Sequence, residues 1–185
     1  MGKFICAGLL CTAMTASGCL QGSDNVEVDD VDLDSEDAVL GESEDALGFN
    51  KSLQARHSGK CLDIKSASNN NGAPLIQWNC HGGYNQKFHF LHVGGGDYNI
   101  IAAHSGKCLD VNGASTSNLA DIIQWPCHGG NNQKFRPVYR SGGYYNLVAA
   151  HSGKCIDVRG ASQSQGAEVI QYDCHSGYNQ QFRPY

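Results

Sequence analysis

Five residues recur together three times along the chain. Asp63, Trp78, His81, Asn85 and Gln86 form one set, and Asp110, Trp125, His128, Asn132 and Gln133 a second. Asp157, Tyr172, His175, Asn179 and Gln180 form a third, each set displaced from the last by 47 residues. These types suit a polyhydroxylated ligand. A carboxylate accepts from two vicinal hydroxyls at once, a side-chain amide both donates and accepts, and an imidazole can do either. A flat aromatic offers its π-face to the C–H side of a pyranose. A few convergent polar groups beside an aromatic wall is the usual build of a small-ligand site. Neutral His81, His128 and His175 are expected to accept a sugar hydroxyl, so binding should weaken in mildly acidic solution. Catalysis fits less well. A glycosidase needs two carboxylates flanking one bond, and each set shares a single Asp. A nucleophile set from His57, Ser58 and Asp63 can be drawn, but it stands in all three copies, and catalytic centres rarely come in triplicate. The chain is therefore expected not to be an enzyme.

The elements that position these residues repeat with them. His57-Ser58-Gly59-Lys60-Cys61-Leu62-Asp63 returns at His104 to Asp110 and, with Ile156 for Leu, at His151 to Asp157. Between His57–Phe88 and His104–Phe135, 22 of 32 positions are identical without a gap, which chance cannot produce. Apolar stretches such as Tyr98-Asn99-Ile100-Ile101-Ala102 have strand length and lie between Ser-Gly, Gly-Gly and Asn-rich turns. No segment shows a helical period. A propeller needs about four blades, and there are three units. Three β units closing on one another make one domain of ordinary size. Phe88, Phe135 and Phe182 are expected in the core on the pseudo-axis, with Leu62, Leu109 and Ile156. His57, His104 and His151 are expected to serve packing or turns.

Six cysteines follow the same period: Cys61 and Cys80, Cys108 and Cys127, Cys155 and Cys174, nineteen apart in each unit. Six allow fifteen pairings, but a repeat should pair each unit alike, and one bridge per unit is the simplest such solution. Bridges fit an oxidising, exported location. The Cys-His neighbours at Cys80-His81 and its copies could be read as zinc ligands, but Cys-x-x-Cys is absent. Neither a metal nor a cofactor is expected.

Cys-Leu-Asp, then Trp two residues before Cys, then Cys-His-Gly-Gly-Tyr-Asn-Gln-Lys-Phe, resembles the ricin B-chain type β-trefoil lectins, which are also classed as carbohydrate-binding modules. The resemblance covers roughly Gly48 to Tyr185. It implies an all-β trefoil with pseudo-threefold symmetry, an intra-unit disulfide in each repeat, and up to three shallow sites for galactose-type or xylose-type sugars. It places the sugar-gripping Asp on Asp63, Asp110 and Asp157, and the stacking aromatic on Trp78, Trp125 and Tyr172. It places the following His on His81, His128 and His175, and the Asn on Asn85, Asn132 and Asn179. Gln86, Gln133 and Gln180 would brace the Asp. The chain departs from the family in four places, one of them Asn131 in repeat two, which replaces the Tyr seen at Tyr84 and Tyr178. Ile76, Ile123 and Ile170 stand where the family often has Gln, with Gln77, Gln124 and Gln171 one residue later, facing the other way. Gln-x-Phe replaces Gln-x-Trp. Leu119-Ala120-Asp121 replaces Gly72-Ala73-Pro74, so the turn beside the site of repeat two is expected to differ. A trefoil with degenerate sites that binds proteins is the alternative; the intact site residues speak against it.

The remaining chain reads as address and tether. Residues 1–19 carry an apolar run of signal-peptide length ending in Ala16-Ser17-Gly18-Cys19, which resembles the lipobox of bacterial lipoproteins, with Cys19 as the acylated residue. Residues 20–47 read as an acidic, disordered linker: 11 of the 18 acidic residues lie between Asp24 and Asp45, where there is no Lys or Arg. Residues 48–185 are the expected lectin domain, with repeats near 48–94, 95–141 and 142–185. The acid belongs to the tether rather than to the fold, and no basic nucleic-acid surface is expected. The expected partners are glycans or polysaccharide. The chain is expected to be an exported monomer, secreted or held in the cell envelope, touching a membrane only through a lipid on Cys19.

Overall fold

The structure is a computed structural model that describes residues 50–185. The expected signal peptide, Cys19 and the expected acidic linker lie outside the described residues. Twelve short strands follow one another, four to a repeat. Repeat one holds β1 (Leu53–Ala55), β2 (Cys61–Ile64), β3 (Leu75–Trp78) and β4 (Phe88–His92). Repeat two holds β5 (Tyr98–Ala102), β6 (Cys108–Val111), β7 (Ile122–Trp125) and β8 (Lys134–Tyr139). Repeat three holds β9 (Tyr145–Ala149), β10 (Cys155–Val158), β11 (Val169–Tyr172) and β12 (Phe182–Pro184). The described residues contain no α-helix, only three-residue 3-10 turns.

The pairing separates a barrel from its cap. β1, β12, β9, β8, β5 and β4 pair antiparallel in that order. A bridge between Lys51 and Phe88 closes the ring, so the barrel has no open edge. The hairpins β2–β3, β6–β7 and β10–β11 stand off this ring as a cap. They touch one another cyclically through bridges from Pro74 to Ile123, Asp121 to Ile170 and Glu168 to Ile76. This is the β-trefoil that the resemblance implies, with its threefold pattern.

Strand alternation decides what lies inside. In β2, Leu62 and Ile64 join the core, while Cys61 and Asp63 face the other way; β6 and β10 repeat this. Phe88, Phe135 and Phe182 are fully buried in the same apolar cluster, as are Leu62, Leu109 and Ile156. The disulfides Cys61–Cys80, Cys108–Cys127 and Cys155–Cys174 are formed, one in each repeat. Each closes a loop of about 20 residues and stabilises by about 3 kcal/mol in the chain-entropy model. Each also ties the residues just after the exposed aromatic to the start of the preceding strand.

Polar residues join the repeats. The buried Gln77 amide donates to the carbonyls of Ser162 and Ser164 in repeat three. Gln124 reaches Ser68 and Asn70, and Gln171 reaches Ser115 and Ser117. His57, His104 and His151 place Nε2 2.9–3.0 Å from the carbonyls of Ser162, Ser68 and Ser115. These histidines thus pack one repeat against its neighbour.

Candidate functional site

Each cap hairpin supports one cleft. Asp63 sits third in β2 and is paired with Ile76 in β3. Two residues on, Trp78 ends β3 on the same face. The chain then turns at Gly82 and Gly83 and enters a 3-10 turn, Tyr84–Gln86, which returns Asn85 and Gln86 beneath the carboxylate. The result is a buried carboxylate, 3% exposed, next to a half-open aromatic. Trp78, Trp125 and Tyr172 are 39%, 41% and 37% exposed. A core residue would be covered and a casual surface residue would not adjoin a buried acid.

The carboxylates are held by fixed donors. Gln86 Nε2 donates to Asp63 Oδ2 at 2.8 Å and to the carbonyl of Asn79, while its Oε1 accepts the His81 N–H. Gln133 and Gln180 do the same for Asp110 and Asp157. Asn132 and Asn179 donate to Asp110 and Asp157 at 2.9 Å, and all three Asn amides also reach a β-strand carbonyl. In Asp157 every donor reaches Oδ2, which leaves Oδ1 to a ligand. Burial pushes the Asp63 and Asp157 carboxyls above the usual range, and the Gln and His donors pull them part of the way back.

The histidines do something other than expected. His81 Nδ1 accepts the N–H of Gly83 at 3.1 Å, and Nε2 lies 3.3 Å from Asp63 Oδ2. His128 and His175 repeat both contacts. The ring is therefore the tautomer with its proton on Nε2, and it donates to the carboxylate. Neither nitrogen is left to accept a hydroxyl. The ring braces the Asp and lines the cleft with the aromatic.

Gly83, Gly130 and Gly177 are required for a related reason. Their backbone is ordinary for any residue, with φ near −63 at Gly83 and Gly130. A Cβ on Gly130, however, would lie 2.6 Å from both Asn132 Oδ1 and His128 Cε1. Gly130→Ala is expected to push both side chains away from Asp110. The ring ¹⁵N–¹H signals of His128 should move by NMR while those of His81 and His175 stay; an unmoved His128 would refute the steric account.

The clefts hold about 480, 410 and 500 Å³ in repeats one, two and three, within the range of small-ligand sites. The structure brings together every Asp, aromatic, His and Asn of the sequence sets, with Gln86 and its copies just behind. Gln77, Gln124 and Gln171 lie outside. Ile76, Ile123 and Ile170 form part of the lining and were not anticipated. Their position two residues before the aromatic, on its face of the strand, was the available signal. The structure also corrects one expectation. The turn at Leu119-Ala120-Asp121 does not border the cleft of its own repeat: Leu119 lines the cleft of repeat three, beside Asp157, Tyr172 and His175. Cap hairpins meet their neighbours cyclically, so each loop serves the next repeat, which repeat spacing alone does not reveal. Among the described residues no group of three His, Cys, Asp or Glu stands close enough to hold a metal ion.

The family model described as ricin-type beta-trefoil lectin domain-like matches residues 44–125, 84–172 and 131–184. The chain is 51% identical to a designed 3-fold symmetric protein, ThreeFoil, over 73% of this chain and 96% of that one, with a TM-score of 0.72. It is 34% identical to part of an exo-β-1,3-galactanase from Clostridium thermocellum, over 74% of this chain but 30% of that one, with a TM-score of 0.72. Over 48 residues it is 46% identical to the clotting factor G alpha subunit of Tachypleus tridentatus, a stretch that makes up 26% of this chain and 7% of that protein.

Proposed function

From a chain that belongs to the ricin-type β-trefoil lectin domain-like family, with one built cleft in each repeat, we propose a non-catalytic, multivalent binder of galactose-type or xylose-type sugars. The observation that carries this is the pairing, three times over, of a buried, donor-braced carboxylate with a half-exposed aromatic. In this reading the carboxylate accepts sugar hydroxyls, at the open Oδ1 in Asp157 and beside the Asn132 contact in Asp110, the Asn side chains add contacts through their amide oxygens, and the aromatic stacks on the ring. Single sites of this shallow kind bind weakly, and three on one domain gain strength through avidity on a polymer. The likeness of this domain to part of an exo-β-1,3-galactanase supports galactose-type ligands. The three disulfides fit an exported protein. Export by the leader, a lipid on Cys19 and a monomeric state complete the proposal.

A glycan array of the full chain, with galactose and xylan ligands competed by free sugar, tests it. Specific, competable binding supports the reading. A silent array with folded, oxidised protein favours the protein-interaction alternative.

The pH response follows from the carboxylates. Their ordinary value is 3.8, and in Asp63 and Asp157 it is raised by burial. A raised carboxyl pKa means that the fold favours the protonated form, so these groups do not take stability away as pH falls through the window above 3.8. Protonation does remove an acceptor that the sugar needs. Affinity is expected to decline on acidification before an ordinary Asp would titrate, while the Tm contribution of these groups holds or rises. Affinity that stays flat from pH 7 to pH 4 would refute the carboxylate grip.

A further inference from the structure

We propose that Leu119, which belongs to repeat two, sets the specificity of the cleft in repeat three, and that this cleft prefers a sugar unit carrying an apolar substituent such as a methyl group. The inference rests on the carbohydrate reading above and deepens it for one site.

Each cleft is flanked by the loop of another repeat at the same backbone position. The N–H of Gly72 donates to the carbonyl of Gln124 in β7, that of Leu119 to Gln171 in β11, and that of Gly166 to Gln77 in β3, all at 2.8–2.9 Å. The next residue in each receiving strand is the platform aromatic. At two of the three positions the loop brings only a glycine. A Cβ on Gly166 would lie 3.6 Å from the outer ring edge of Trp78, and one on Gly72 would lie 3.9 Å from that of Trp125. In the first two clefts the indole therefore extends along a bare backbone.

The third cleft is built differently. Leu119 keeps the backbone of the two glycines, with φ +70 against +79 and +78. Branched residues seldom adopt this conformation. Its side chain is 49% exposed, an apolar group half in water. It lines the cleft with Tyr172, whose single ring is shorter than an indole. A long flat wall in repeats one and two thus becomes, in repeat three, a short aromatic face plus an aliphatic flank from the neighbouring repeat. A flat sugar face needs only the aromatic. A methyl or acetamido group beyond that face meets Leu119, and its burial adds apolar contact that no glycine can supply. Arg159, paired with Glu168, stands on the rim of the same cleft, as Lys65 does in repeat one, so the charged border is not what sets repeat three apart; Leu119 is.

The test isolates one cleft in the full chain. Asp63→Asn with Asp110→Asn leaves repeat three as the binding site; Asp110→Asn with Asp157→Asn leaves repeat one. Calorimetric titrations compare galactose with N-acetylgalactosamine, and xylose with methyl β-xyloside. The repeat-three protein is expected to favour the substituted member of the bound pair at least fivefold over the preference of the repeat-one protein. Leu119→Gly should erase that preference, with the loss of affinity falling at least fivefold more heavily on the substituted sugar. It also relieves the positive φ, so the variant should fold at least as well. Gly166→Leu in the repeat-one protein should raise its preference, although strain at that position can lower its stability. A preference that Leu119→Gly leaves unchanged overturns the proposal and leaves the carbohydrate reading standing. Absence of sugar binding by the unaltered chain overturns both.

Discussion

Changing Asp63, Asp110 and Asp157 together to Asn should abolish saccharide binding while the domain stays folded. A hydrogen bond to a charged group contributes about 1.5–3 kcal/mol. Losing the charged acceptor in a cleft should weaken that cleft by roughly 100-fold, and losing it in all three removes avidity as well. Stability should hold or rise at Asp63 and Asp157 and fall modestly at Asp110, without unfolding the domain. The carboxylates are almost fully buried, and for Asp63 and Asp157 burial already disfavours the ionised form. Asn is neutral, nearly the same shape, and keeps an oxygen for the Gln86 and Gln180 amides; at Asp110, where Asn132 donates to Oδ1 and Gln133 to Oδ2, it turns its own amide N–H toward one of these donors. Circular dichroism with thermal melts, alongside glycan binding, reads both effects. Retained binding would show that the carboxylates are not the grip. Unfolding would show that they are structural anchors.

Phe135→Ala should have the opposite profile, with stability lost first. Phe135 is completely buried in the cluster that holds Phe88 and Phe182. Its strand, β8, pairs with both β5 and β9, with Phe135 itself opposite Tyr98 and Ala149. Core truncations of this size cost about 3–5 kcal/mol, a large part of the 5–15 kcal/mol that holds a typical domain together. The melting temperature should fall by roughly 10–20 °C. Trp78→Ala is the control: it removes a larger side chain that is 39% exposed, so it should cost less stability while removing repeat-one binding. If Trp78→Ala destabilised the fold as much as Phe135→Ala, the indole would be core and not platform.

The fold was legible because its information is local and repeated. The interval of 47 residues, the two cysteines per unit and the strand-length apolar runs specify the unit, and three units specify the closure. Asp63, Trp78 and Asn85 were legible as a set for the same reason. Two things were not. The role of His81 depends on a hydrogen bond from Gly83, two residues on, and on the approach of Asp63 from another strand. Composition shows that an imidazole is present but not which of its nitrogens is occupied. The second was the owner of each loop. Sequence shows that Leu119 differs from Gly72 and Gly166, but the bridge from Asp121 to Ile170 is what assigns that difference to repeat three. Gln77 lies between these cases. Its offset from Trp78 excluded it from the cleft, and only the tertiary contacts with Ser162 and Ser164 show that it fastens two repeats.

The pairing of β1 with β12 governs how the chain can be made. Leu53 finds Pro184 and Ala55 finds Phe182, so one of the first barrel strands takes one of the last as its neighbour. A ribosome delivers them in the reverse of the convenient order. While repeats two and three are still being synthesised, β1 presents an unpaired edge of the kind that recruits other chains. Contacts between residues so far apart in sequence also slow folding. At three residues, β1 is short, with buried Leu53 and Ala55 flanking a single outward Gln54. That brevity limits the edge it can offer during the wait, and the nascent protein is most exposed to misassembly in the interval before Phe182 emerges.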